Sequence, residues 1–251
     1  MGKVISALVT GGGSGVGAAI ALDLAQSGTQ VTITGRRFAA LKAIAAQHDN
    51  IQAFTADVTD LAAMQAALAD HVERCGPPAL VVANAGAANS APFGKVSAEN
   101  WAQTLAVNLT GTFNTFQAAL AVMDRAQPGR LVAVASTAGL RGYGYVAPYC
   151  AAKHGVVGLV RALAQELAKT KITVNAICPG YIDTPMVDET VANIVAKTGM
   201  SADDARKQLV AHNPQKRLIL PTEIAAAVQY LCSTGATSVN GQALSINGGE
   251  I

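Results

Sequence analysis

The sequence predicts a single α/β domain, in which a parallel, doubly wound sheet is covered by helices on both faces. Short apolar runs alternate with longer segments of helical periodicity along the 251 residues. Several of these runs are apolar at successive positions, which is typical of parallel strands that are buried on both faces. No linker rich in Pro, Gly or Ser interrupts the alternation, so we expect right-handed crossovers within one sheet.

The composition argues against several classes of protein. Hydrophobic residues make up 51% of the chain and charged residues 14%, the opposite of a disordered composition. A net charge of +2 is too small to predict a nucleic-acid-binding or membrane-binding surface. No apolar run reaches the roughly 18 to 20 residues that a membrane span requires. We therefore expect a small-molecule ligand, and neither a nucleic acid nor a membrane as partner.

The cysteines and the start of the chain indicate a cytoplasmic protein without a bound metal. The four cysteines lack the paired spacing of a metal site and are typical of buried thiols in a reducing compartment. The first strand pattern begins almost at once, in "MGKVISALVTGGG", so we expect no signal peptide.

Seven strands and several helices follow from the apolar pattern. The predicted strands are 5–10, 31–34, 51–56, 79–85, 130–136, 172–178 and 242–248. A spacing of four over 16–24 predicts a helix that ends before Gly28. The same reasoning predicts helices over 61–72 and 97–123.

The stretch "TGGGSGVG" (10–17) lies between the first strand and the first helix. Glycines there permit a tight turn, a close approach of the backbone to a pyrophosphate, and close helix–strand packing. The following helix offers free N–H groups to the phosphates. Such turns also occur for packing alone, but the strand–loop–helix context favours a Rossmann-type dinucleotide site. The residues predicted to bind the cofactor here are Gly11, Ser14, Gly15, Val16 and Gly17.

The end of the second strand bears on the choice of cofactor. An acidic residue there would favour NAD, but the chain has Arg36 and Arg37 in "TGRRF". Two guanidinium groups could clamp a 2′-phosphate, so NADP(H) is favoured over NAD(H). The alternative is that the arginines are solvated loop residues. Asp57, at the end of the third strand, is placed to accept from the adenine amino group or to cap the next helix.

Three of the five tyrosines lie between positions 143 and 149, in "YGYVAPY". Reduction of a ketone by hydride leaves negative charge on oxygen, which needs a proton donor. Residues four apart share a helix face, and of the three only Tyr149 has a lysine, Lys153, in register. We expect the ammonium of Lys153 to lower the pKa of Tyr149 by favouring the phenolate.

Six motifs occur in order: "TGGGSGVG", "NAG" (84–86), Asn108, Ser136, "YCAAK" (149–153) and "PGYIDT" (179–184). Together they resemble the short-chain dehydrogenase/reductase family in its compact single-domain form. The resemblance extends over essentially the whole chain, to "GQALSINGGE". It implies one dinucleotide-binding and catalytic domain over residues 1–251, assembled as a homotetramer through long helices.

The resemblance also implies the roles of four catalytic residues. Tyr149 is the acid/base, and Lys153 holds the nicotinamide ribose. Ser136 polarises the substrate carbonyl, and Asn108 positions a water in a proton relay. Two alternatives stay open: Asn108 as a buried structural amide, and Ser136 as a turn cap. The further residues placed along the cofactor are Asp57, Val58, Asn84, Ala85, Gly86, Pro179, Gly180, Ile182 and Thr184.

The substrate site is less well specified. Residues 185–220 have helical character without a strand and follow the sixth strand, so we expect this insertion to cover the substrate. Tyr143 and Tyr145 precede Tyr149 and could line the pocket or serve only in packing. The predicted substrate residues are Ser136, Tyr143, Tyr145, Tyr149 and Met186.

The expected activity is hydride transfer between NADP(H) and a ketone or secondary alcohol, such as a 3-oxoacyl thioester or another hydrophobic ketone. An NAD-linked catabolic secondary-alcohol or hydroxyacyl dehydrogenase is the main alternative. A non-catalytic nucleotide-binding regulator is a further one.

Overall fold

The computed structural model describes residues 5–251. The expectation of no signal peptide rests partly on Met1–Val4, which lie outside the described residues. Within the described range, seven strands form one sheet in the order β3-β2-β1-β4-β5-β6-β7, and all neighbours are parallel. The strands are β1 (Ser6–Thr10), β2 (Gln30–Gly35), β3 (Ile51–Thr55), β4 (Leu80–Ala83), β5 (Gly129–Val134), β6 (Ile172–Pro179) and β7 (Ala243–Ile246). Each predicted strand is confirmed, with bounds that differ by no more than two residues.

The helices follow the predicted alternation with two differences. They are α1 (Gly15–Gln26), α2 (Phe38–Ala45), α3 (Leu61–Cys75), α4 (Ala98–Leu105), α5 (Gly111–Val122), α6 (Ala147–Glu166), α7 (Pro185–Thr198), α8 (Ala202–Leu209) and α9 (Pro221–Cys232). The short helix α2 is not among the predicted elements. The segment 97–123 is helical as expected, but a π-helical turn, Ala106–Thr110, separates α4 from α5.

The sheet is buried on both faces, which accounts for the continuous apolar runs. Successive strand residues point to opposite faces. On β1, Leu8 lies in a core with α3, α5 and α6, whereas Val9 lies in the core with α1 and α9. The strands are therefore fixed in register by two independent apolar cores.

The insertion 185–220, called the cover below, has a small core of its own. Val187 and Val191 on α7 pack with Ala205 on α8. A parallel bridge joins Ile182 to Ile219, so the cover leaves and returns at the carboxyl end of β6. Across residues 5–251, no helix has the length and apolarity needed to cross a membrane.

Candidate active site

The turn between β1 and α1 requires glycine. Gly11 and Gly15 have φ of 66° and 54°, in the left-handed region that L side chains rarely adopt. A Cβ on Gly17 would lie 2.3 Å from the carbonyl oxygen of Gly11. Ser14 is extended and directly precedes α1. Val16 packs against the apolar core that lies between the sheet and the helices α1 and α9. The tight turn thus brings the backbone to the N-terminus of α1, where phosphates are bound most readily.

The "NAG" segment after β4 is tied to this turn. The Asn84 side-chain amide donates to the carbonyl oxygen of Thr10 at 2.9 Å. The Thr10 hydroxyl accepts from the backbone N–H groups of Asn84 and Ala85, at 3.0 and 3.1 Å. Thr10 is a site residue that the sequence analysis missed. Its position directly before the glycine run is the signal that could have indicated it.

The segment after β6 reaches the same turn, at the carboxyl edge of the sheet. The Thr184 Cγ2 atom lies 3.3 Å from where a Cβ on Gly15 would be. Gly180 N–H donates to the carbonyl oxygen of Ile246 at 3.0 Å, which holds the strand end following Pro179. The Thr184 hydroxyl donates to the carbonyl oxygen of Ile182 at 3.2 Å. A side chain on Gly15 would fill the space between the glycine turn and Thr184. The residues present therefore fit a nicotinamide dinucleotide laid across the carboxyl ends of the strands.

The residues predicted for the adenosine end lie at the same edge. Arg36 and Arg37 are exposed just after β2, and within residues 5–251 neither forms an ion pair. Asp57 Oδ1 accepts from the backbone N–H of Thr59 at 2.9 Å, whereas Asp60 caps α3. The capping alternative for Asp57 is therefore wrong, and its contact with adenine stays a prediction. Val58, the next residue, is buried.

Tyr149, Lys153 and Ser136 meet at the carboxyl end of β5. Tyr149 and Lys153 lie on α6, and the Ser136 hydroxyl is near enough to the Tyr149 hydroxyl to oppose the rise in its pKa. Lys153 is only 3% exposed, and its Nζ donates to the carbonyl oxygen of Val134 at 2.9 Å. The same Nζ lies 5.5 Å from the centroid of the Tyr149 ring. The i,i+4 register thus turns both side chains toward β5.

The electrostatics of this pair differ from the expectation that Lys153 lowers the pKa of Tyr149. Burial raises the pKa of Tyr149 to about 12, against a smaller opposing effect of the Ser136 hydrogen bond. Burial also lowers the pKa of Lys153 to about 8. Desolvation of Tyr149 therefore outweighs the effect expected of the Lys153 ammonium, whose Nζ donates to the Val134 carbonyl oxygen. The sequence expectation is corrected on this point.

Ser136 caps a turn and Asn108 is a buried structural amide, as the two alternatives to a catalytic role predicted. Ser136 Oγ accepts from Ala138 N–H at 3.1 Å, which leaves its own proton available to donate elsewhere. The buried Asn108 amide donates to the carbonyl oxygens of Ala87 and Thr104, at 2.8 and 3.0 Å. Its role in a proton relay stays a prediction.

Gly86 allows Asn108 and Lys153 to approach each other. A Cβ on Gly86 would lie 2.8 Å from Asn108 Oδ1 and 3.7 Å from Lys153 Nζ. The "NAG" glycine therefore lies between the predicted relay residue and the lysine.

The two tyrosines before Tyr149 differ in environment. Tyr143 is partly buried, and its hydroxyl donates to Glu250 Oε1 at 2.6 Å. Tyr145 is 69% exposed and has a φ of 67°. Met186, at the start of α7, is 42% exposed. Glu250 was not singled out from the sequence, because its partner lies 107 residues away.

Comparison with known proteins agrees with this geometry. The short chain dehydrogenase family model matches residues 5–194. The chain belongs to the short-chain dehydrogenase family.

Similar members of the family extend over nearly the whole chain. A 3-oxoacyl-[acyl-carrier-protein] reductase MabA of Mycobacterium tuberculosis is 36% identical over 97% of this chain and 92% of its own length. An acetoacetyl-CoA reductase of an Acinetobacter strain is 36% identical over 97% of this chain and 96% of its own. A crystal structure of an actinorhodin polyketide ketoreductase variant with NADPH has a TM-score of 0.94 and 36% identity, and covers 98% of this chain and 97% of that one. The protein is therefore an oxidoreductase with a Rossmann-type fold.

Proposed function

We propose that this short-chain dehydrogenase reduces the keto group of a 3-oxoacyl thioester, or of a similar hydrophobic ketone, with NADPH. The observation that carries the proposal is the meeting of Tyr149, Ser136 and Lys153 beside the segment that reaches the glycine turn. The names of the two similar reductases support the thioester class.

NADPH, when bound, supplies the hydride. The Ser136 hydroxyl donates to the substrate oxygen and stabilises the negative charge that develops there. Tyr149 gives its proton to that oxygen. Because burial raises its pKa to about 12, the phenol keeps its proton at neutral pH and is ready to act as an acid.

Lys153 has a positioning and binding role in this mechanism. With a pKa lowered to about 8, its amine is mostly protonated at pH 7 and can donate to ribose hydroxyls. Its hydrogen bond to the Val134 carbonyl orients Nζ beside the Tyr149 ring. Asn108 is proposed to hold a water that connects this lysine to solvent.

The preference for NADP(H) rests on Arg36 and Arg37. Both are exposed beyond β2, and neither is neutralised by a carboxylate within residues 5–251. Two free guanidinium groups suit a 2′-phosphate better than a pair of ribose hydroxyls.

The cover and the loop of residues 141–146, which carries Tyr143 and Tyr145, are proposed to enclose the substrate. Val187 and Val191 belong to the core of the cover and orient α7, from which Met186 projects. Apolar side chains in this position favour a hydrophobic acyl or ring substrate.

Assembly as a homotetramer in the cytoplasm completes the proposal. Trp101 on α4 and Phe113 on α5 are 41% and 44% exposed, on the helices expected to meet those of another subunit. Large exposed aromatic side chains are typical of subunit interfaces.

A substrate panel tests the proposed function. We expect NADPH oxidation with acetoacetyl and longer 3-oxoacyl thioesters, and slower turnover with free simple ketones. Absorbance at the NADPH band measures the rate, and Tyr149→Phe serves as the control for background oxidation. Turnover of free cyclic ketones but of no thioester would contradict the thioester assignment, and no turnover of any ketone would contradict the reductase assignment.

A further inference from the structure

The segment 247–251 turns back onto the rim of the active site. Asn247 is buried, and its Oδ1 accepts from the backbone N–H groups of Gly249 and Glu250, at 3.0 and 3.2 Å. Gly248 and Gly249 have φ of 67° and 88°, which only glycine adopts readily. This turn directs the Glu250 carboxylate to the rim.

The Glu250 carboxylate lies between two segments of the proposed active site. Its Oε1 accepts from the Tyr143 hydroxyl at 2.6 Å. Its Oε2 lies 3.4 Å from where a Cβ on Gly180 would be. One carboxylate therefore hydrogen-bonds to the segment before Tyr149 and lies beside the turn after β6. A hydrogen bond to an ionised acceptor is also among the stronger kinds in proteins.

The substrate loop, residues 141–146, depends on few anchors. Gly142 and Gly144 flank Tyr143, and a Cβ at either would meet nothing within 4 Å. The Tyr145 carbonyl oxygen accepts from Ala91 N–H at 2.8 Å, and the Arg141 guanidinium lies 4.9 Å from the centroid of the Tyr143 ring. Open glycines leave a loop many conformations, so the Tyr143 contacts select one of them.

The position of Tyr143 bears on the catalytic serine. Thr137, the residue after Ser136, is near enough to the Tyr143 hydroxyl to oppose the rise in its pKa. Burial and Glu250 raise the pKa of Tyr143 well above that of an ordinary phenol, so it keeps the proton that it donates. A shift of the substrate loop would therefore move the wall that lies next to Ser136.

We propose that Glu250 is a positioning residue for substrate binding, which acts by holding Tyr143 and through it the substrate loop. The proposal rests on the proposed reductase function and extends it by a contact between residues distant in sequence. The Glu250 side chain hydrogen-bonds to Tyr143, and not to Tyr149, Ser136 or Lys153. Its effect is on how the ketone is held.

Steady-state kinetics with NADPH and a 3-oxoacyl thioester test the proposal. Tyr143→Phe and Glu250→Ala are each expected to raise the KM for the ketone about tenfold, as loss of a hydrogen bond to a charged group does. kcat and the KM for NADPH should change less than about twofold, because the chemical groups are untouched. The double variant should be no worse than either single variant, because both changes remove the same contact.

Two further variants separate positioning from a general loss of structure. Glu250→Gln keeps an acceptor oxygen and should restore most of the ketone affinity. Tyr230→Phe removes an exposed hydroxyl on α9 and should have no effect. Additive effects in the double variant, or an equal rise in the KM for NADPH, would overturn the proposal.

Amide hydrogen exchange supplies a readout that does not need turnover. Exchange over residues 141–146 should be faster in Tyr143→Phe and Glu250→Ala than in the parent protein and in Tyr230→Phe. Unchanged exchange would refute the contact even if the kinetics moved. If the parent protein reduces no ketone, the proposed function fails while exchange still decides whether Glu250 holds the loop. Should Glu250→Ala fail to fold, Tyr143→Phe alone carries the test.

Discussion

The cofactor side and the substrate side of this protein are built differently. Around the glycine turn, Thr10, Asn84 and Gly11 are joined by hydrogen bonds of the backbone and of the Thr10 and Asn84 side chains. In the cover, a core centred on Val187, Val191 and Ala205 is supplemented by ion pairs of exposed side chains. The first region is part of the sheet, whereas the second is attached to it through the short bridge Ile182–Ile219.

This difference separates the part of the site whose geometry must be fixed from the part whose contacts can vary with the substrate. The dinucleotide and the proton donor require fixed geometry, which two buried cores supply. In the proposed function, the substrate is held by the cover and by residues 141–146, which lie outside the sheet. Changes on the cofactor side should therefore remove activity, and changes on the substrate side should mainly alter substrate affinity.

Tyr149→Phe should have the largest effect. Removing the proton donor is expected to lower kcat by about 10³-fold or more, within the usual range for a general acid. NADPH affinity, measured by fluorescence titration, should stay within about twofold because the ring and Lys153 remain. Retained turnover would assign the acid role to another residue.

Gly17→Ala tests whether the cofactor side is as intolerant as its packing indicates. The new Cβ would lie 2.3 Å from the Gly11 carbonyl oxygen, so the turn must move. We expect NADPH affinity to fall about a hundredfold, the equivalent of roughly 3 kcal/mol of overpacking.

Gly158→Ala is the matched control, since a Cβ there would meet nothing within 4 Å. It lies in α6 and should leave NADPH affinity unchanged while raising the melting temperature slightly. An equal loss of NADPH affinity in Gly17→Ala and Gly158→Ala would contradict the inference that the cofactor side is the less tolerant region.

Arg36→Ala tests the phosphate clamp. We expect the KM for NADPH to rise about tenfold or more, with little change for NADH, because only NADPH carries the 2′-phosphate. Steady-state kinetics with both cofactors measure this. Equal effects on the two cofactors would favour the NAD-linked alternative and leave the arginine as a solvated loop residue.

The pH dependence of ketone reduction tests the electrostatics of the catalytic pair. The profile of kcat/KM reports groups of the free enzyme. Lys153, with a pKa lowered to about 8, loses its proton as the pH rises through that value, so kcat/KM should fall above about pH 8. Tyr149, raised to about 12, stays protonated throughout. A flat profile to pH 10 would contradict the lowered pKa of Lys153.

Arg206→Ala should have the smallest effect and would sharpen the comparison. Arg206 pairs with Asp188 on α7, and its Nη1 lies 3.8 Å from Asp183 Oδ1. These side chains are largely exposed, so we expect only about a twofold to threefold rise in the KM for the ketone. Lys207→Ala, next to it on α8, is the control. A large loss of NADPH affinity would show that the cover also fixes the cofactor side.

The seven strands were predictable because each depends on a local apolar pattern, whereas their order in the sheet, β3-β2-β1-β4-β5-β6-β7, came only from the structure. All seven strands follow from apolar runs, and the lysine in register with Tyr149 follows from the i,i+4 rule. The helix α2 was missed, since "FAALKAIA" is only eight residues long and Leu41 is its one buried residue. The π-helical turn at Asn108 was missed as well, because its apolar pattern runs on unbroken from α4 to α5.

By itself, the sequence determined the fold class, the glycine turn and the choice of Tyr149 among three tyrosines. These depend on residues close together along the chain. Tertiary structure alone decided that Thr10 holds "NAG", that Thr184 meets Gly15, and that Glu250 holds Tyr143. It also reversed the expected pKa shift of Tyr149, because desolvation depends on everything packed around a group and not on its nearest neighbour in sequence.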